Sequence, residues 1–210
     1  MTNIRFTPWK GKDYETGGIF GKKILVLGES VYCGETSCES CNEGCNDFTN
    51  KLVKEFVAND VHTKSGEFKY WTNTYKKFES ALVGHSPSLE ERKQIWNSIA
   101  FYTYFQNAFD EARQPLSGNL EIERAQQALF EILETYRPDY VIVWGYRLWD
   151  CLTGKNWTNT APIINEDLKS GTGYYTIDGI KYPFMYINHP STGFSWDKWH
   201  LNIKQFLETK

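Results

Sequence analysis

Two short apolar runs that close on glycine constrain this chain most: Ile24-Leu-Val-Leu-Gly28 and Tyr140-Val-Ile-Val-Trp-Gly145. Consecutive apolar residues with no polar alternation suit a strand buried on both faces, as in a parallel sheet covered by helices on each side. The segments around them carry helical spacing. Helices are expected over 47–58, 70–83 and 120–136, the last stopped by Pro138, and a short one over 146–153 ends at Gly154. Before a further helix, Ser86 with Pro87, or Ser88 with Glu91, supplies the start signal. Ser98–Phe105 reads as another strand, though its aromatic content would equally suit a helix; 173–187 reads as a hairpin turning at Asp178-Gly179, and Ser195 as the cap of a last helix. Strands alternating with helices predict α/β class: one domain over 1–210, a three-layer α/β/α sandwich with a mainly parallel four-stranded central sheet. Ligands of such folds bind beyond the carboxyl ends of the strands. The turns to watch are therefore Gly28-Glu29-Ser30, Gly145-Tyr146-Arg147 and Asn188-His189-Pro190-Ser191.

Composition narrows the function classes. With 40% hydrophobic and 16% aromatic residues the chain has ample core material. A net charge of -3, from 23 Lys+Arg against 26 Asp+Glu, argues against coating nucleic acid or membrane by bulk charge, and leaves room for a local basic groove. No apolar run approaches the roughly 20 residues of a membrane span. The first 18 residues are too polar for a secretory signal, so a cytoplasmic protein with no membrane partner is expected.

Four of the five cysteines, Cys33, Cys38, Cys41 and Cys45, fall in a C-x4-C-x2-C-x3-C loop directly after the first strand turn. Four soft ligands on so short a loop can wrap one tetrahedral ion, which makes zinc the first expectation and an iron–sulfur cluster the second, with unmetallated thiols or disulfides as the remaining state. From Ile24 to Asn50 the chain holds five acidic residues and no basic one, so this loop would repel phosphate and is expected to be structural. Cys151 sits in a helix-like stretch and reads as a small buried residue in a reducing compartment.

Three segments, ILVLGESVY (24–32), VIVWGYRLWDCL (141–152) and INHPSTGFSW (187–196), occur in that order at strand ends. Together they resemble the uracil-DNA glycosylase superfamily from about Ile24 onward. The His-Pro-Ser of 189–191 is similar to that superfamily's second catalytic signature, and Gly28-Glu29 to the opening of the first in its iron–sulfur branch. The resemblance implies a DNA or nucleotide base glycosylase, in repair or defence, hydrolysing the N-glycosidic bond to uracil or a modified base without an organic cofactor. It implies catalytic roles for Glu29, His189 and Ser30, and contacts to base or DNA through Tyr32, Thr103, Ser191 and Phe194. Such a reaction builds positive charge on the sugar and negative charge on the base. Glu29 would orient water and stabilise the sugar cation, and His189 would donate to the base oxygen. Ser191 would pinch a phosphate, Tyr32 would wall the pocket, and Phe194 or Trp196 would fill the gap left by a flipped nucleotide. Ser30 stands where several branches carry Asp or Asn, Val31 replaces the usual proline, and Thr103 lies near a position where many branches place Asn.

Other readings of the same residues stand beside this one. Phe194 and Trp196 would equally staple the last helix to the core, Trp71 and Tyr75 would be core, and Lys76, Lys77 and Arg147 would be solvated, with Arg147 in reach of a phosphate. Gly28-Glu29-Ser30 also resembles the nucleophile turn of GDSL-type serine hydrolases, with Asp197-x-x-His200 as orienting carboxylate and base. A third reading is a catalytically inactive glycosylase-like module that binds nucleic acid or a protein.

Overall fold

The computed structural model describes residues 3–32, 46–59, 71–109, 119–152, 154, 156–191 and 193–209. Nine strands run β1 Trp9–Lys10, β2 Ile24–Gly28, β3 Val31–Tyr32, β4 Ile99–Thr103, β5 Ala108–Phe109, β6 Tyr140–Trp144, β7 Trp157–Asn165, β8 Leu168–Ile177 and β9 Ile180–Ile187 among the described residues. The helices are α1 Phe48–Asn59, α2 Thr72–Val83, α3 Leu89–Ser98, α4 Asn119–Tyr136, α5 Tyr146–Asp150 and α6 Trp196–Leu207.

The sheet is larger and more mixed than the sequence predicts. Seven strands lie in the order β1-β4-β2-β6-β9-β8-β7. The central four are parallel, β2 pairing with β4 and β6, and β6 with β9. Antiparallel neighbours extend both sides: β1 beside β4, then β8 and β7 beyond β9. The expected four-stranded, mainly parallel sheet is thus only the middle of a mixed one. The extra strands left weak signals for physical reasons. β1 pairs over two residues only. β7 is a mostly exposed edge strand whose register shifts between Thr160 and Ile163, around Ala161-Pro162, so it shows neither apolar alternation nor an unbroken ladder. β8 and β9 turn at Asp178-Gly179 as the sequence indicates, though β8 begins at Leu168 rather than 173. Pro183 lies one residue ahead of the first β6–β9 register pair, so its missing N–H falls outside that ladder.

Alternation through the central strands builds two cores. Ile24, Val26, Ile142 and Trp144 face one side, where α1, α2, α3 and α6 pack. Leu25, Leu27, Val141 and Val143 face the other, covered by α4 and α5. This accounts for the unbroken apolar runs, since a strand with helices on both faces has no polar side to show. Of the two possible starts for α3, the structure takes Ser88: its Oγ accepts from the Glu91 amide at 3.3 Å, and the Glu91 carboxylate accepts from the Ser88 amide at 2.8 Å.

One feature of the first core is polar. Glu79, fully buried on α2, accepts from Arg92 Nε at 2.7 Å and from Trp96 Nε1 at 2.7 Å. Burial raises the Glu79 carboxyl above its ordinary value despite the adjacent guanidinium. Among the described residues no helix is long and apolar enough to cross a membrane.

Candidate functional site

The carboxyl ends of β2, β4, β6 and β9 open onto one cavity of about 600 Å³. In the parallel part of the sheet β2 is the first strand in sequence and has its successors on both sides, so the chain reverses its winding there. Crevices form at such points because the crossovers on either side diverge.

Glu29 follows β2 directly. Its carbonyl accepts from the Phe105 amide at 3.0 Å and the Gly28 carbonyl from Tyr104 at 2.9 Å, which ties the turn to the chain leaving β4. The short parallel pairing of β3 with β5 carries Val31 and Tyr32 onward from it. A Cβ at Gly28 would lie 2.9 Å from the Phe101 ring, so a larger residue there would have to displace that ring. The Glu29 side chain is 15% exposed and forms an ion pair with Arg147, Oε1 to Nε at 3.2 Å. Arg147 is delivered by α5 after Gly145, whose φ of 93° lets β6 turn sharply. The sequence reading of Arg147 as solvated surface is therefore corrected: it is held on the carboxylate proposed for catalysis.

Ser30, Tyr32, Thr103 and His189 line the same cavity as Glu29. Tyr32 stands at its rim, 47% exposed. Thr103 is buried at the end of β4, its Oγ1 3.3 Å from that of Thr49 on α1. The His189 ring stands edge-on to Trp144, centroids 5.9 Å apart. Trp144 itself is 3% exposed and meets Phe101 at 5.2 Å and Tyr75 at 5.5 Å, so three aromatic rings lie side by side in the cavity wall. Ser30 Oγ and Trp144 Nε1 are buried and make no hydrogen bond among the described residues. Leaving such a group unpaired costs about 1–3 kcal/mol.

Other residues singled out by the sequence lie elsewhere. Ser191 is exposed in the turn after His189, its amide donating to the His189 carbonyl at 2.7 Å; its own carbonyl accepts from Lys77 Nζ at 2.6 Å. Lys77, read as solvated, thus reaches the His-Pro-Ser turn. Phe194 does not reach out as a wedge: it is 7% exposed and stacks on Trp199 of α6, and Trp196 packs against the same core. Phe194→Ala is accordingly expected to cost about 3–5 kcal/mol of stability, seen as a lowered urea midpoint. Cys33, Cys38, Cys41 and Cys45 lie outside the described residues. Cys151 is buried, as expected, and burial pushes its thiol up to about 11.

The serine-hydrolase arrangement does not assemble. Ser30 Oγ has no base on it, His200 places Nδ1 2.9 Å from the Ala81 carbonyl between α2 and α6, and Asp197 accepts from Ser195 Oγ. A triad needs base and nucleophile within hydrogen-bond reach.

Sequence reasoning missed the aromatic wall, because Tyr75, Phe101 and Trp144 read as ordinary core, and it missed Trp71 and Lys51 at the cavity. Trp71 carried a usable signal as a large ring ahead of an amphipathic helix, and it is 45% exposed. Compared with known proteins, the chain matches no protein-family model and no curated protein.

Proposed function

We propose that this protein is a hydrolase of N-glycosidic bonds, acting on a uracil or modified base in DNA or a nucleotide. The observation that carries the reading is the meeting of Glu29 and His189, from turns far apart in the chain, at one aromatic-walled cavity at the carboxyl edge of the sheet. A planar base suits the wall of Phe101, Trp144 and Tyr75, and stacking of this kind tolerates several bases. Glu29, ion-paired with Arg147, faces the sugar as the C1′–N bond breaks. Its negative charge stabilises the sugar cation, and it takes the proton of the water that adds to C1′. The electron pair of the broken bond goes to the base, whose oxygen accepts a hydrogen bond from His189. Tyr32 closes the rim, and Thr103 holds the end of β4 to α1. The Ser191 turn, with Lys77 on its carbonyl, contacts a phosphate next to the reacting sugar.

The cysteine loop joins this reading as a support. Cys33, Cys38, Cys41 and Cys45 are a donor set that suits zinc, and an ion there would order the chain following Tyr32 without entering the reaction.

The test is a glycosylase assay with labelled oligonucleotides carrying uracil, hypoxanthine, xanthine or hydroxymethylcytosine derivatives, single- and double-stranded, developed by alkaline cleavage. Cleavage of at least one substrate, lost in His189→Ala, is expected. Cleavage that persists undiminished in His189→Ala would move the chemistry to other residues, and no cleavage of any substrate would favour a binding module.

A further inference from the structure

A second concavity, of about 630 Å³, lies at the opposite edge of the sheet, where β2 and β6 begin. Among the described residues its lining brings together Lys22, Lys23, Arg137 and Lys181 with one carboxylate, Asp139. That is a local surplus of three positive charges in a chain whose net charge is -3. None of the four cations forms a salt bridge to a carboxylate among the described residues; the nearby Glu15 is taken by Lys10.

The grouping is built rather than incidental. Lys23 and Asp139 are locked together by backbone: the Asp139 carboxylate accepts from the Lys23 amide at 2.7 Å, and the Asp139 amide donates to the Lys23 carbonyl at 2.8 Å. The one acidic side chain is thereby spent in part on structure. Lys22 Nζ is poised 4.9 Å over the Tyr140 ring, and Lys181 Nζ 4.7 Å over Tyr174, so aromatic faces hold these ammonium groups in place of acids. Arg137 turns in the left-handed region, φ 45°, at the end of α4, its amide still bonded to Leu133 at 2.9 Å, which throws the chain out of the helix beside Lys23. Four cations against one lining carboxylate, with Glu134 and Asp178 acting nearby on Tyr182, repel one another, and an anion that spans the cations relieves that repulsion. The volume is in the range that holds a small molecule.

We propose that this concavity is a binding site for a small oligophosphate, an anion with several adjacent phosphate groups, separate from the catalytic cavity and independent of its reaction. Inorganic triphosphate and ATP share that chemistry. Inorganic orthophosphate offers too few oxygens to bridge the cations and binds more weakly.

Isothermal titration of the full chain with inorganic triphosphate, with ATP and with orthophosphate tests this. Triphosphate is expected to bind, more weakly as salt rises, and ATP binding tighter than triphosphate would identify a nucleotide as the source. The double variant Lys23→Gln/Arg137→Gln is expected to weaken triphosphate binding by about tenfold or more, while Lys93→Gln on α3 leaves it unchanged. The ligand-free thermal midpoint of the double variant reports whether it folds, and Lys22→Gln/Lys181→Gln serves as a second pair. Equal binding by wild type and both pairs, or no binding of triphosphate, would overturn the proposal.

Discussion

Glu79→Ala is expected to lower the unfolding free energy by about 3–5 kcal/mol, a large share of what a domain of this size possesses. The carboxylate is fully buried between α2 and α3 and accepts from both Arg92 and Trp96, so truncation removes the counter-charge of a buried guanidinium and an acceptor of a buried indole at once. Glu79→Gln keeps the shape but turns an amide donor toward one of these donors, and should fall between alanine and wild type. Replacing the pair together, as Glu79→Met with Arg92→Met, should recover most of the loss, because two desolvated charges are exchanged for apolar packing. Urea unfolding of the four proteins measures this; a cost below about 1 kcal/mol for Glu79→Ala would show that the pair is not integral to the core. The sign of the pH dependence follows from the raised carboxyl. Glu79 binds its proton more tightly when folded than its ordinary value of 4.5 allows, so unfolding releases a proton in the interval above 4.5. Wild type should therefore lose stability relative to Glu79→Gln as pH climbs through that interval, the reverse of a solvent-exposed salt bridge.

Glu29→Gln is expected to lower glycosylase turnover by about 10²–10⁴-fold while leaving the fold intact. Glutamine fills the same space beside Arg147 and can still accept a hydrogen bond, but it neither carries the charge that stabilises a sugar cation nor takes a proton from water. The loss should appear in kcat with KM little changed, since the carboxylate acts on the transition state more than on the bound substrate. Single-turnover cleavage of the preferred oligonucleotide separates the two quantities. Undiminished cleavage by Glu29→Gln would remove Glu29 from the reaction. In the binding-module reading the same substitution leaves biological activity untouched, so the variant also divides those two readings.

What the sequence determined by itself was whatever rests on local chemistry repeated over a few residues. The runs at 24–28 and 140–144 declare strands covered on both faces, because burial on two sides leaves no place for a polar residue. The spacing in 120–136 declares α4 and Asp178-Gly179 declares the last hairpin, whereas the start of α3 is open between Ser86 and Ser88 and the structure takes Ser88. The rule that parallel strands present ligands at their carboxyl ends pointed to the turns that hold Glu29, Ser30 and His189, and the glycosylase resemblance added Tyr32 and Thr103; all five line one cavity. Tertiary structure alone decided the rest. Whether an aromatic residue is core, wall or wedge depends on what lies across from it: Phe194 stacks on Trp199 and turns inward, whereas Trp144 and Tyr75 lie beside a void. The same holds for charges. Arg147 finds Glu29, Lys77 finds the turn after His189, Glu79 finds Arg92, and four cations gather at the far edge of the sheet, all through crossovers that bring distant segments together. Edge strands β1 and β7 were equally hidden, because pairing on one side only asks little of the residues that make it.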